Sequence, residues 1–77
     1  MSNGKLPILK PIQVVRTVEK MGFARTKKSG GGHLRYVHSD GRRTSIPMHK
    51  GKDISRGLLR KILRDVNISV EEFKKLL

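Results

Sequence analysis

His33-Leu34-Arg35-Tyr36-Val37-His38-Ser39-Asp40-Gly41-Arg42-Arg43-Thr44-Ser45-Ile46-Pro47-Met48 is the stretch on which the fold turns. Leu34, Tyr36 and Val37 mark a strand over His33 to His38. Asp40-Gly41 is a strong hairpin signal, because both central positions of a type I′ turn favour a positive φ. The returning strand spans Arg43 to Met48, with Thr44, Ile46 and Met48 alternating onto one face. Pro47 has no N–H for a ladder, so this strand ends there or lies at a sheet edge.

Upstream of the hairpin, Phe23 to Lys28 is a short third strand, separated from it by Gly30, Gly31 and Gly32. A helix precedes it. Pro11 suits a first helical turn, Ile12, Val15, Val18 and Met21 follow at helical spacing, and Gly22 stops the run. That predicts a helix over about residues 11 to 21. Downstream, Ile54, Leu58, Leu59, Ile62, Leu63 and Val66 form one apolar stripe, with Asp53 or Ser55 as its cap. Ser69 and Glu72 make a capping box for a last short helix carrying Val70, Phe73, Leu76 and Leu77. Three strands with one apolar face need helices across them, so the expected fold is a two-layer α+β domain. Residues 1–10, with Gly4 and Pro7, read as a loose lead-in, and residues 11–77 as the domain.

The chain has 77 residues, too few to enclose a large substrate cavity, so any chemistry sits on the surface or in a shallow groove. Eighteen Lys and Arg face six Asp and Glu, a net charge of +12. Such an imbalance suits a polyanionic partner: nucleic acid first, then an acidic protein, then an anionic membrane. Without cysteine there are neither disulfides nor thiolate metal ligands. Residues 1–10 hold no apolar run of signal-peptide length and no transmembrane stretch follows, which points to the cytoplasm.

Twelve basic residues fall between Arg25 and Arg64, opposed there by Asp40 and Asp53 alone. Arg56, Arg60 and Arg64 lie four apart and share one side of a helix. Taken by itself such a run is an ordinary solvated face. The cations on the strand ends and at Lys50 and Lys52 favour a surface that follows a phosphate backbone. Aromatic residues are few, and Phe23 and Phe73 occupy core-like positions, so recognition by base stacking is poorly supported.

The most unusual local stretch is Lys27-Lys28-Ser29-Gly30-Gly31-Gly32-His33. Glycines let the backbone approach an anion closely. No Lys-Ser/Thr pair follows at Walker spacing, and a flexible strand connection is the plainer reading of the glycines alone. His33 adds chemistry: a histidine beside Lys28 and Arg35 can exchange protons with a phosphodiester near neutral pH. RNA brings its own nucleophile, the 2′-hydroxyl. The carboxylates are scattered, with none paired near the loop, so the pattern of a two-metal nuclease is missing. His38 reads as packed or solvent-facing, and His49 as a phosphate or protein contact. Three histidines without ligand spacing give no zinc site.

Met21-Gly22-Phe23, Gly31-Gly32-His33-Leu34-Arg35-Tyr36, Ser45-Ile46-Pro47, His49, Gly51-Lys52-Asp53-Ile54, Gly57-Leu58-Leu59-Arg60-Lys61-Ile62-Leu63 and Glu71-Glu72-Phe73 recur in one order. Together they resemble the HicA (YcfA-like) toxin family over about residues 11 to 77. The resemblance implies a fold like the double-stranded-RNA-binding domain and ribonuclease activity toward mRNA that blocks translation. It maps the family's catalytic histidine onto His33 and implies a HicB-type antitoxin covering it, with no cofactor. Lys27, Lys28, Gly31, Gly32, Arg35, Lys50, Lys52, Arg56 and Arg60 are the expected RNA contacts. Two departures stand out: Gly32 replaces the serine usual before the histidine, and Leu58 replaces the threonine of a Gly-Thr-Leu. Two other readings use the same surface: a non-catalytic module for double-stranded RNA or structured DNA, and a protein acting chiefly within a repressor complex with its antitoxin.

Overall fold

The computed structural model describes residues 6–26, 32–49 and 51–77. Its elements are α1 (Pro11–Lys20), β1 (Ala24–Arg25), β2 (His33–Val37), β3 (Arg43–Pro47), α2 (Arg56–Val66) and α3 (Val70–Leu76). The three strands form one antiparallel sheet in the order β1-β2-β3. The expected two-layer α+β arrangement is therefore present, and Pro47 closes an edge strand.

Strand pleating divides the sheet into two faces. Tyr36, Thr44 and Ile46 point into the core at 2%, 6% and 0% exposure, while His33, Arg35 and Arg43 lie on the exposed face. Both α1 and α2 pack against β3. Val14, Val15 and Val18 of α1 meet Leu59, Ile62, Leu63 and Val66 of α2 in one apolar cluster. Phe73 completes the cluster from α3, and Phe23 from the approach to β1. Phe23, Tyr36 and Phe73 are all buried, so no phenyl or phenol ring is exposed to serve as a base-stacking platform.

Four details differ from the sequence expectation. First, the lead-in is not loose from Leu6 onward. Leu6 is 1% and Leu9 5% exposed, and Leu9 bridges Ile54, whose N–H donates to its carbonyl at 2.7 Å. A chain this short lacks core, and two more leucines supply some. Second, Ile54 lies in that bridge and not on α2. The helix cap is Ser55, whose Oγ accepts from the Leu58 N–H at 3.2 Å.

Third, among the described residues β1 covers Ala24–Arg25, with the Thr26 N–H donating to the Arg35 carbonyl at 2.8 Å, and Lys27 and Lys28 of the expected strand lie outside the described residues. Fourth, the hairpin does not use a type I′ turn. Gly41 has φ +100°, but Asp40 keeps a negative φ, and Asn67 is the one non-glycine with positive φ among the described residues. The Gly41 N–H donates to the His38 carbonyl at 2.9 Å, so Ser39, Asp40 and Gly41 form a three-residue connection.

The hairpin tip is locked by charge. The Asp40 carboxylate accepts from the Arg42 backbone N–H at 3.0 Å and from Arg42 Nε at 2.9 Å. The Arg42 guanidinium also lies 5.2 Å from the Phe23 ring centre and donates to the Val66 carbonyl, joining tip to α2. His38 packs edge-on against Phe23 with ring centres 5.1 Å apart, and its Nδ1 accepts from the Asp40 N–H. Of the two possibilities for His38, packing is the one realised.

Candidate active site

The three-residue hairpin sets the register His33↔Pro47, Leu34↔Ile46, Arg35↔Ser45. Beyond the last pair the two chains stay together, because the Met48 N–H donates to the Gly32 carbonyl at 2.6 Å. His49 is thereby carried to the mouth of β2. Its imidazole meets that of His33 edge to face, centroids 5.6 Å apart and planes at 89°. Both residues are exposed.

Gly32 makes the approach possible. Its φ is +79°, and a Cβ built there would stand 3.0 Å from His49 Cε1, closer than carbons tolerate without movement. Past His49 the chain turns back: the Lys52 N–H donates to the His49 carbonyl at 3.1 Å. A shallow groove of about 450 Å³ lies beside the pair, lined by His49, Met48, Gly51, Lys52 and Asp53 on one side and by Lys10, Pro11 and Ile12 on the other. Its lining combines the apolar Pro11, Ile12 and Met48 with two lysines, one aspartate and an imidazole.

The structure gathers some of the expected site residues and separates others. His33, Gly32 and Lys52 share one end of the sheet with His49. Arg35 is exposed two residues along β2, on the same face as His33. Lys27, Lys28, Gly31 and Lys50 lie outside the described residues. Arg56 stands at the start of α2 with its Nε donating to the Leu6 carbonyl at 2.8 Å, so it ties down the lead-in. Arg60 is exposed one turn further on, and α2 then runs to the hairpin tip, where Thr44 Oγ1 donates to Asp65 Oδ2 at 3.0 Å. The helix stripe thus leads away from His33.

His49 is the residue whose place the sequence reading did not find. A signal existed: counting equal steps outward from Asp40 sets Pro47 across from His33 and Met48 across from Gly32, so His49 comes just beyond the head of β2. A two-residue turn centred on Asp40-Gly41 would instead pair His33 with Met48, and a one-residue slip turns every side chain to the other face.

Electrostatics at this end are dominated by cations. Asp53 is the acidic residue in the groove lining, while Asp40 is held on Arg42, Asp65 on Lys61 at 3.1 Å, and Glu19 accepts from the Tyr36 hydroxyl at 3.0 Å. The Arg42 backbone N–H holds the Asp40 carboxyl below the ordinary aspartate range, with its guanidinium assisting. Burial, followed by the Glu19 carboxylate, pushes the Tyr36 hydroxyl up. Neither group lies at the histidine pair. No cluster of three or more His, Asp or Glu that could hold a metal occurs among the described residues. Two exposed imidazoles beside lysines can accept and donate protons next to a bound phosphate.

A two-layer α+β domain of high positive charge, with paired histidines at the open end of its hairpin, is the class of protein these features define. A family model described as "HicA toxin of bacterial toxin-antitoxin" matches residues 13–68. The chain belongs to the HicA toxin family, and by family it is the toxin of a toxin–antitoxin pair. The match starts within α1 and ends before α3. A comparison with curated proteins gave no match. Among the described residues no helix is long and apolar enough to cross a membrane.

Proposed function

We propose that the chain is a ribonuclease toxin: an endoribonuclease that cleaves mRNA in the cytoplasm, uses His33 as a proton-transfer group, and so blocks translation. The observation that carries this reading is the position of His33. It is exposed at the head of β2, beyond a glycine with positive φ, at the end of the sheet where His49 and Lys52 also converge.

Cleavage would proceed by attack of the RNA 2′-hydroxyl on the adjacent phosphorus, assisted by proton transfer at His33 and by neighbouring positive charge. Lys28, Arg35 and Lys52 would position or neutralise the phosphate. Lys27, Gly31, Gly32, Lys50, Arg56 and Arg60 would extend the contact along the backbone. Because no Phe or Tyr ring is exposed, binding would rest on phosphates and shape, with a steep dependence on salt. A HicB-type antitoxin would restrain the toxin by covering His33.

The test is controlled expression of the parent and a His33→Ala variant, with growth and total mRNA integrity measured. Growth arrest with mRNA loss in the parent alone is expected. Proton transfer of this kind contributes about 10²- to 10⁴-fold in rate. A variant that degrades mRNA as fast as the parent overturns the mechanism. A folded parent that binds RNA without cutting it would leave the non-catalytic module as the function.

A further inference from the structure

Resting on the ribonuclease reading above, we infer that His49 is a second catalytic residue, acting with His33 as an acid–base pair on one phosphodiester. The family resemblance assigns one histidine; the geometry supplies two. Their rings are in contact, centroids 5.6 Å apart, at the joined ends of β2 and β3. Contact at that separation lets a single phosphate be reached by both.

Two proton-transfer groups complete the chemistry that one leaves half done. In the first step a neutral imidazole takes the proton of the 2′-hydroxyl as the 2′-oxygen–phosphorus bond forms. The other imidazole, protonated, delivers its proton to the 5′-oxygen as the phosphorus–oxygen bond to it breaks. The products are a 2′,3′-cyclic phosphate and a 5′-hydroxyl end, with no net gain or loss of protons or electrons. The pair is left with its protonation states exchanged, and exchange with water resets it. Among the described residues, the charged groups that bear on the pair are Lys10, Lys52 and Asp53 along the groove beside His49, and Arg35 along the strand from His33.

Gly32 supports the assignment. A side chain at that position would meet the His49 ring at 3.0 Å, so a glycine directly before His33 keeps the second histidine in place. That gives a physical meaning to the glycine standing where serine is usual in the family.

The experiment measures cleavage of an end-labelled mixed-sequence RNA by the parent, His33→Ala, His49→Ala and His49→Asn across pH, with thermal unfolding as the control for folding. The parent should give a bell-shaped pH–rate profile, since the reaction needs one imidazole in each protonation state. Both His49 variants should lose about 10²-fold or more in kcat with KM little changed and unfolding unaltered. Their residual activity should keep one limb of the bell only. Full activity in either His49 variant, or a loss confined to KM, overturns the inference while an inactive His33→Ala leaves the ribonuclease reading standing. A folded parent that cleaves nothing ends both.

Discussion

Arg56 Nε donates a 2.8 Å hydrogen bond to the backbone carbonyl of Leu6, fifty residues earlier in the chain. This contact makes Arg56 a structural clamp before it is anything else. Replacing it with alanine should lower stability by about 1 kcal/mol, and the melting temperature by roughly 4–8 °C for a domain of this size. A thermal melt checks this. An Arg56→Ala protein as stable as the parent would return the residue to the solvated basic stripe.

The clamp matters because of what it holds. Leu6 is 1% exposed within the main core cluster. Leu6→Ala should cost about 2–5 kcal/mol, as for other buried leucines. In so small a domain that is a large share of the total stability. Urea unfolding of Leu6→Ala beside Ile8→Ala, whose side chain is 58% exposed, separates burial from mere sequence position. Equal losses at both sites would contradict the packing described.

Gly32→Ser restores the residue usual at this place in the family, yet in this chain it should be harmful. The φ of +79° costs a residue with a Cβ about 1–2 kcal/mol, and the His49 ring must move to admit it. Lower stability and shifted His49 ring signals in an NMR spectrum are expected. Unchanged His49 signals would show that the loop adapts without disturbing the pair.

Asp40 gives the stability a dependence on acid. Its carboxyl is held low in the folded state by the Arg42 backbone N–H and then its guanidinium. A depressed folded-state value means that the stabilisation is complete above the ordinary aspartate range and fades as pH falls through the folded value. Asp40→Asn should therefore be less stable than the parent at pH 7, and the gap should narrow as pH falls below the ordinary aspartate range. Urea titrations at several pH values read this directly. A gap that persists at low pH would show that the carboxylate charge is not its origin.

The amino-acid sequence by itself determined the element order, the capping box of the last helix and the placement of Phe23 and Phe73 inside. Each rests on local rules: helical and strand periodicity, the Ser69–Glu72 box, and turn residues that act over a few positions. It also singled out His33 and the family, through an ordered set of short motifs. What only tertiary structure decided depends on contacts between distant segments. A turn residue such as Gly41 announces a hairpin, but whether the loop holds two residues or three is settled by how Tyr36, Thr44 and Ile46 meet the helices. That choice fixes the register and carries His49 to His33. In the same way Leu6 and Leu9 carry no periodic pattern, and their burial follows from an opening in the core that forms only once Ile54 and Arg56 are in place.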